Sequence, residues 1–330
     1  MSFRASVARI AQQNGWVIGL WVLLGALLIV TRIIQPDYGA SGFGSLARAA
    51  LPFAFAAAGQ AIVVIVGGVD LSIASMMALT SVTAATLMQG SSEEFAILVV
   101  VFVLLMGLAL GAVNGALVVI TRVPDIVVTL AMLFVWEGAA LLVLHTPGGA
   151  AAEWLKALVV GTVGSVWIPP AISDWIPKAL VLVLVGLGVV WIPLRRSRLG
   201  LSMYAVGSDP LAAFRSGVAV GRTKIAAYAL AGLFAAMGGL VLTASTGIGA
   251  PIPGPYLLAS VAAVVLGGVT LGGGRGGLVG PIVAVFILRL VRTDLTFLAI
   301  DPNITTIIEG TIMVLVVMLG GLIALRSRAP

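Results

Sequence analysis

The sequence predicts an all-α, polytopic membrane protein of about ten transmembrane helices, with breaks at Gly67-Gly68 and Gly267–Gly277. Three observations predict it. Hydrophobic residues make up 61% of the 330-residue chain and charged residues 9%, against roughly half and a quarter in a soluble domain. Mean hydropathy is +1.20. Apolar stretches recur at the ~20 residues a helix needs to cross hydrocarbon. A water-soluble enzyme and a disordered chain are excluded, and the 41 glycines follow no collagen period. With no Cys there is no disulfide, Cys-ligated zinc or iron–sulfur cluster.

Taken in order, the clear spans are 16–34, 95–121, 126–144, 176–194, 223–243 and 304–325. The stretch 47–89 is too long for one crossing. It is apolar apart from scattered Ser and Thr, Gln60 and the break Gly67-Gly68-Val69-Asp70, so it reads as two helices. The stretch 256–293 divides likewise at Gly267–Gly277, which brings the count to ten; eight or nine spans, with 256–277 only re-entering, stay open. Residues 1–15 are no cleaved signal, because the following apolar stretch is too long and lacks a small-residue cleavage site. The loop 145–175 holds an apolar run, 157–168, too short to span, and it is expected near the outer surface.

The net charge of +6 and pI near 10.3 follow from membrane topology rather than from nucleic acid. Ten crossings put both termini on one side. Arg4, Arg9, Arg122, Arg275, Arg326, Arg328 and the six cations of the 195–224 loop fall there. Arg32, Arg48, Lys156, Lys178, Arg289 and Arg292 fall on the other. The bias assigns the first side, with both termini, to the cytoplasm.

Four motifs interrupt the spans. In 59–75, two glycines let the chain turn, and Asp70 stands where its carboxylate can accept the free N–H of Ser72 or Ile73. An acid at membrane depth is also a candidate functional group on a translocation path. In 111–130, Pro124 cannot continue one helix but can open the next, and Asn114 can bond between helices. In 201–218, Asp209-Pro210 is a cap and first-turn pair and Gly217 a left-handed stop. They enclose a helix of about two turns with Leu211, Ala212, Ala213 and Phe214. A helix so short is marginal in water, so it either docks on a partner or lies on lipid headgroups. In 267–281, the glycines read as a helix break with close packing; no phosphate-loop signature exists in the chain. Gly267-Gly268-Val269 also echoes Gly67-Gly68-Val69, a hint of related halves.

These motifs, in this order and spacing, resemble the permease subunits of bacterial ABC importers for ribose and related sugars. The resemblance spans residues 16–325. It rests on Gly67-Gly68-Val69-Asp70-Leu71-Ser72, Arg198-Leu199-Gly200, Ser216-Gly217-Val218 and Ala262–Gly277. It implies one permease domain over 1–330, paired with a second copy or a sister permease. It further implies a cytoplasmic ATPase and a periplasmic or lipid-anchored sugar-binding protein. The segment 209–217, within the 195–224 loop, would be the coupling helix seated on the ATPase, with Asp209, Pro210, Ala213, Phe214, Ser216 and Gly217 carried over. Two positions depart from the family. Members often hold a basic residue where Glu137 and Glu309 stand, so these outer-end acids are candidates for contact with binding protein or substrate, or for pairing with Arg289 or Arg292.

No nucleophile–base set, metal cluster or cofactor motif is present, and His145, the lone histidine, reads as a loop residue. The chain is thus expected to be a permease, not an enzyme, and to need no cofactor. It would work by ATP-driven alternating access for a monosaccharide or polyol. Polar groups within apolar spans, Gln60, Asp70, Ser72, Asn114 and Thr129, are the candidates for lining the path. The rival reading is an ion-coupled secondary transporter, with Asp70, Glu137 or Glu309 carrying protons, since broken helices suit that class too. A membrane enzyme is the weakest reading.

Overall fold

The computed structural model describes residues 3–164, 169–252 and 254–326. Among them the chain forms α1 (Phe3–Ile34), α2 (Ala40–Ile65), α3 (Ile73–Met88), α4 (Glu93–Thr121), α5 (Asp125–Val143), α6 (Glu153–Val159), α7 (Pro170–Ser173), α8 (Lys178–Arg196), α9 (Arg198–Ser208), α10 (Pro210–Arg215), α11 (Val220–Thr246), α12 (Tyr256–Leu266), α13 (Val279–Phe297) and α14 (Pro302–Arg326). Every predicted span coincides with a helix, and both long stretches divide where their glycines stand. Six helices, counting Gly15–Ile34 of α1 with α2, α4, α5, α8 and α11, are long and apolar enough to cross a membrane. The apolar helices α3 and α12 are shorter, as befits the two members flanking the breaks. Part of the apolar run 157–168, residues 165–168, and also Arg328 lie outside the described residues.

The bundle is built around α2 and α11. From Leu46 to Ile65 α2 is buried almost without interruption, with Pro52 inside it. It packs against α11, α13, α12 and α8, while α11 also packs on α4 and α3. The α4–α11 contact is the most intimate. Gly107, Gly111 and Gly115 recur every fourth residue, so they share one face of α4. A Cβ at Gly107 or Gly111 would overlap the carbonyl of Gly232 or Tyr228 on α11. Small residues let two backbones approach where apolar side chains alone provide little drive for association in lipid.

Both glycine breaks close their helices in the same way. After α2, Gly68 N–H donates to the Val63 carbonyl and Gly67 N–H to the Val64 carbonyl, with Gly67 at φ +86°. After α12, Val269 N–H donates to Val264 and Gly268 N–H to Val265, with Gly268 at φ +81°. This six-to-one and five-to-two pattern satisfies carbonyls that a helix end otherwise leaves bare. The left-handed residue is the first glycine of one pair and the second of the other. The Gly-Gly-Val echo therefore superposes only with an offset of one residue, and it marks a shared stop signal rather than matched positions.

The opposite end of the bundle is tied by a different segment. Gly148 and Gly249 exchange backbone hydrogen bonds of 3.1 and 2.8 Å, and Ala150 N–H donates to the Ala85 carbonyl. The Glu93 carboxylate accepts from the N–H groups of Glu153 and Trp154 at the start of α6, and the Trp154 indole donates to the Glu93 carbonyl. Residues 148–154 are thus fastened to α3, α4 and the end of α11.

Candidate functional site

The α2–α3 break gathers four of the five polar residues singled out along the spans. Asp70 Oδ1 accepts from the Ser72 N–H at 2.8 Å and from the Ser72 hydroxyl at 2.6 Å. This is a local side-chain turn one step ahead of the helix, since α3 begins at Ile73 and the Asp70 carboxylate reaches Ser72 alone of the two expected N–H groups. Asn114 on α4 donates to Ser72 Oγ at 2.6 Å, and its carbonyl oxygen accepts from the Trp136 indole of α5 at 3.1 Å. A continuous polar chain, Asp70–Ser72–Asn114–Trp136, thereby crosses from the break to the middle of α5. Trp136 is the member that sequence reading missed; its neighbour Glu137 drew attention instead.

Thr129 fastens the same break from α5. Its hydroxyl accepts the Leu71 N–H at 3.1 Å and donates to the Asp125 carbonyl at 2.9 Å, with the Val69 carbonyl at 3.2 Å. Beneath it, Asp125 Oδ2 accepts from the Tyr228 hydroxyl at 3.0 Å and lies 3.8 Å from Lys224 Nζ. Gly68 faces this pair so closely that a Cβ would strike both the carboxylate and the phenol. Gln60 stands apart on α2. Both its amide atoms, and Asp70 Oδ2, have no hydrogen-bond partner among the described residues. All five candidates are buried and do not line an open channel in this conformation; Asp70, Ser72, Asn114 and Thr129 instead tie the break to α4 and α5.

The segment 209–217 forms as its residues dictate. Asp209 Oδ1 accepts the N–H groups of Leu211 and Ala212 at 2.9 and 3.0 Å, with Pro210 in the first turn. At the other end Val218 N–H donates to Ala213 and Gly217 N–H to Phe214, with Gly217 at φ +84°. Ala213 is buried; Leu211 and Phe214 are 58% and 67% exposed. Ser216 caps the end by donating its N–H to the Ala212 and Ala213 carbonyls.

The helix α9, which leads into α10, touches both breaks. A Cβ on Gly207 would overlap the Ile65 carbonyl at the end of α2 and the Gly274 amide beyond α12. Gly274 N–H itself donates to Ile65 at 2.9 Å. Gly273, at φ +82°, abuts both Gly207 and Gly67. The Tyr204 hydroxyl donates to the Gly276 carbonyl at 2.8 Å. Burial pushes the Tyr204 phenol above its ordinary range while Arg195 pulls it partly back, so it stays a donor. Three glycine-bearing segments remote in sequence thus meet backbone to backbone under α10.

The acids that departed from the resemblance behave differently. Glu309 pairs with Arg292, Nη1 to Oε2 at 3.1 Å, one of the alternatives weighed for it. Glu137 is half-buried on α5. An apolar groove of about 390 Å³ lies between α1, α8 and α13, lined by Trp21, Leu28, Leu184, Trp191, Ile282 and Phe286 among others. With no polar side chain in its wall, it suits an acyl chain, not a polar solute.

A bundle of membrane-length helices with two glycine interruptions is the architecture of a polytopic membrane permease. Residues 42–317 match the family described as the permease component of branched-chain amino acid transport systems, and the chain belongs to that family. It is 27% identical over 323 residues to the autoinducer 2 import system permease protein LsrD of Escherichia coli (strain K12), covering 93% of this chain and 92% of that one. The permeases of the same name from Escherichia coli O157:H7 and Shigella flexneri match with the same identity and coverage. No solved structure matches the chain.

Proposed function

We propose that this chain carries a small polyhydroxylated solute, a monosaccharide or related polyol, across a bacterial inner membrane with both termini cytoplasmic. A separate ATPase hydrolyses ATP and receives the 209–217 helix in a surface groove. A second permease copy or a sister permease completes the pore, and an external binding protein delivers the solute. The family description names branched-chain amino acids and the similar permeases name autoinducer 2. The assignment of a sugar-like solute therefore rests on the sequence resemblance.

One observation carries the coupling role: α10 presents Leu211 and Phe214 outward while the helix feeding it is seated by glycines on both helix breaks. A push on α10 is transmitted through Gly207 and Tyr204 to Ile65–Gly67 and Gly273–Gly276 together. The ends of α2 and α12 then move as a unit, and the α2–α3 polar chain passes the displacement to α4 and α5. Asp209, Pro210, Ser216 and Gly217 keep α10 rigid, and Ala213 seats it.

The test is uptake of radiolabelled ribose, then of a panel of monosaccharides and polyols, by the native assembly in proteoliposomes. Phe214→Ala combined with Gly217→Val should leave the subunit inserted and the ATPase active. Uptake per ATP should fall by about tenfold, the loss of ~1.4 kcal/mol of coupling. Unchanged uptake removes α10 from the mechanism. Uptake driven by a proton or sodium gradient without nucleotide establishes the ion-coupled rival.

A further inference from the structure

The charges of α13 and α14 are left unused by everything above. Arg289 stands ten residues, ~15 Å, along a helix of ~28 Å, and so lies near the middle of α13 rather than at the outer end where the charge count set it. Its guanidinium carbon is 5.1 Å from the centroid of the Phe53 ring on α2 and 5.8 Å from that of Tyr256 on α12. Its Nε has no acceptor, and no carboxylate forms an ion pair with it among the described residues. One turn on, Arg292 holds Glu309 of α14, their side chains 41% and 18% exposed. Two cations thus share one paired anion here, the other carboxylate of α13, Asp294, being buried toward Thr31 of α1.

A guanidinium at this depth is costly against hydrocarbon, and such groups face a protein interior or a water-filled cavity. Two aromatic rings engage the flat guanidinium of Arg289, and its Nε is buried without an acceptor in this conformation. Forked N–H donors match paired oxygens, as on vicinal hydroxyls. We propose that α13 and α14, over the half next to their connecting turn, form one wall of the aqueous translocation path, where Arg289 and Arg292 donate to the oxygens of a polyhydroxylated solute. This rests on the importer reading and supplies what the buried residues of the α2–α3 break do not, a charged surface that is part-exposed at Arg292.

The chain has no cysteine, so a single thiol placed in it reports water access with no background from this chain. The experiment places Glu309→Cys in the native assembly, in membrane vesicles, and measures its reaction with two membrane-impermeant methanethiosulfonates, one cationic (ethylammonium) and one anionic (ethylsulfonate). Leu105→Cys, mid-span on α4 and 59% exposed, is the lipid-facing control. The thiol at 309 should react while the one at 105 stays inert. Relative to a free thiol, the anionic reagent should be favoured by about tenfold through the field of the two arginines, and adding Arg289→Gln should cut that preference at least threefold.

Gly310→Cys provides a second site that keeps the Glu309–Arg292 pair; a Cβ there meets no atom within 4 Å. No reaction at either position overturns the proposal, as does reaction without a charge preference or with one that Arg289→Gln leaves intact. ATP-driven uptake measured in the same vesicles separates the two readings. Uptake with inert thiols sinks this wall alone, whereas reactive thiols without nucleotide-dependent uptake sink the importer.

Discussion

Asn114 uses both ends of its amide inside the bundle, donating to Ser72 and accepting from Trp136. Hydrogen bonds between membrane helices average ~0.6 kcal/mol and reach ~1.7. Asn114→Leu is therefore expected to cost about 1–3 kcal/mol, since two bonds go and Ser72 and Trp136 lose a partner. A thermal-shift measurement on the solubilised protein should register a lower midpoint. Glu137, one residue past Trp136, takes no part in this chain, so Glu137→Gln should change stability by no more than ~0.5 kcal/mol and act, if anywhere, on transport rate. A midpoint drop as large as that of Asn114→Leu would make Glu137 structural. At this scale the sequence was legible in part. Asp70, Ser72, Asn114 and Thr129 announced themselves because polar groups are conspicuous among apolar ones. Trp136 did not, because an indole in an apolar span looks like any other large hydrophobe until its N–H finds an acceptor.

At the scale of elements, length and hydropathy carried most of the information. A span needs a fixed run of apolar residues and a break needs glycine, so the helices and both interruptions could be placed from local pattern alone. What remained hidden was contact between segments far apart in the chain. The four-residue spacing of Gly107, Gly111 and Gly115 is visible in the sequence, yet nothing local says that its partner is Gly232 on α11. Likewise Gly207 reads as an ordinary glycine near the end of a short helix until Ile65 and Gly274 close around it. The α4–α11 seam yields a direct prediction. Gly111→Val would drive a branched side chain into the Tyr228 carbonyl and should destabilise the protein by at least ~3 kcal/mol, the upper part of the range for overpacking. Gly138→Ala on α5, where an added Cβ meets nothing within 4 Å, should be neutral or slightly stabilising because alanine is the better helix former. Comparable losses in the two variants would show that backbone conformation, and not the seam, governs the effect.

For the whole molecule, the unequal distribution of positive charge is the property that fixes how the bundle sits. Arg195, Arg196, Arg198, Arg215, Arg222 and Lys224 lie in or beside α9 and α10, next to both helix breaks, while the far end is closed by the Gly148–Gly249 link and the Glu93–α6 contact. Positively charged short loops stay on the cytoplasmic side during insertion, so the end bearing α10 should meet the cytoplasm and the α6 end the exterior. The absence of cysteine again makes the measurement clean. A thiol placed by Ser216→Cys should react with an impermeant reagent only in inside-out vesicles, and one placed by Ser91→Cys, between α3 and α4, only in right-side-out vesicles or whole cells. The opposite pattern would put α10 on the face where no cellular ATP is available, and no arrangement of the glycine contacts could then couple hydrolysis to the helix breaks. Removing charge should loosen the orientation before it loosens the fold. Neutralising the arginines of 195–198 should produce a mixed population in this assay while the helical content measured by circular dichroism holds, because the spans are specified by their apolar length and only their direction by the loop.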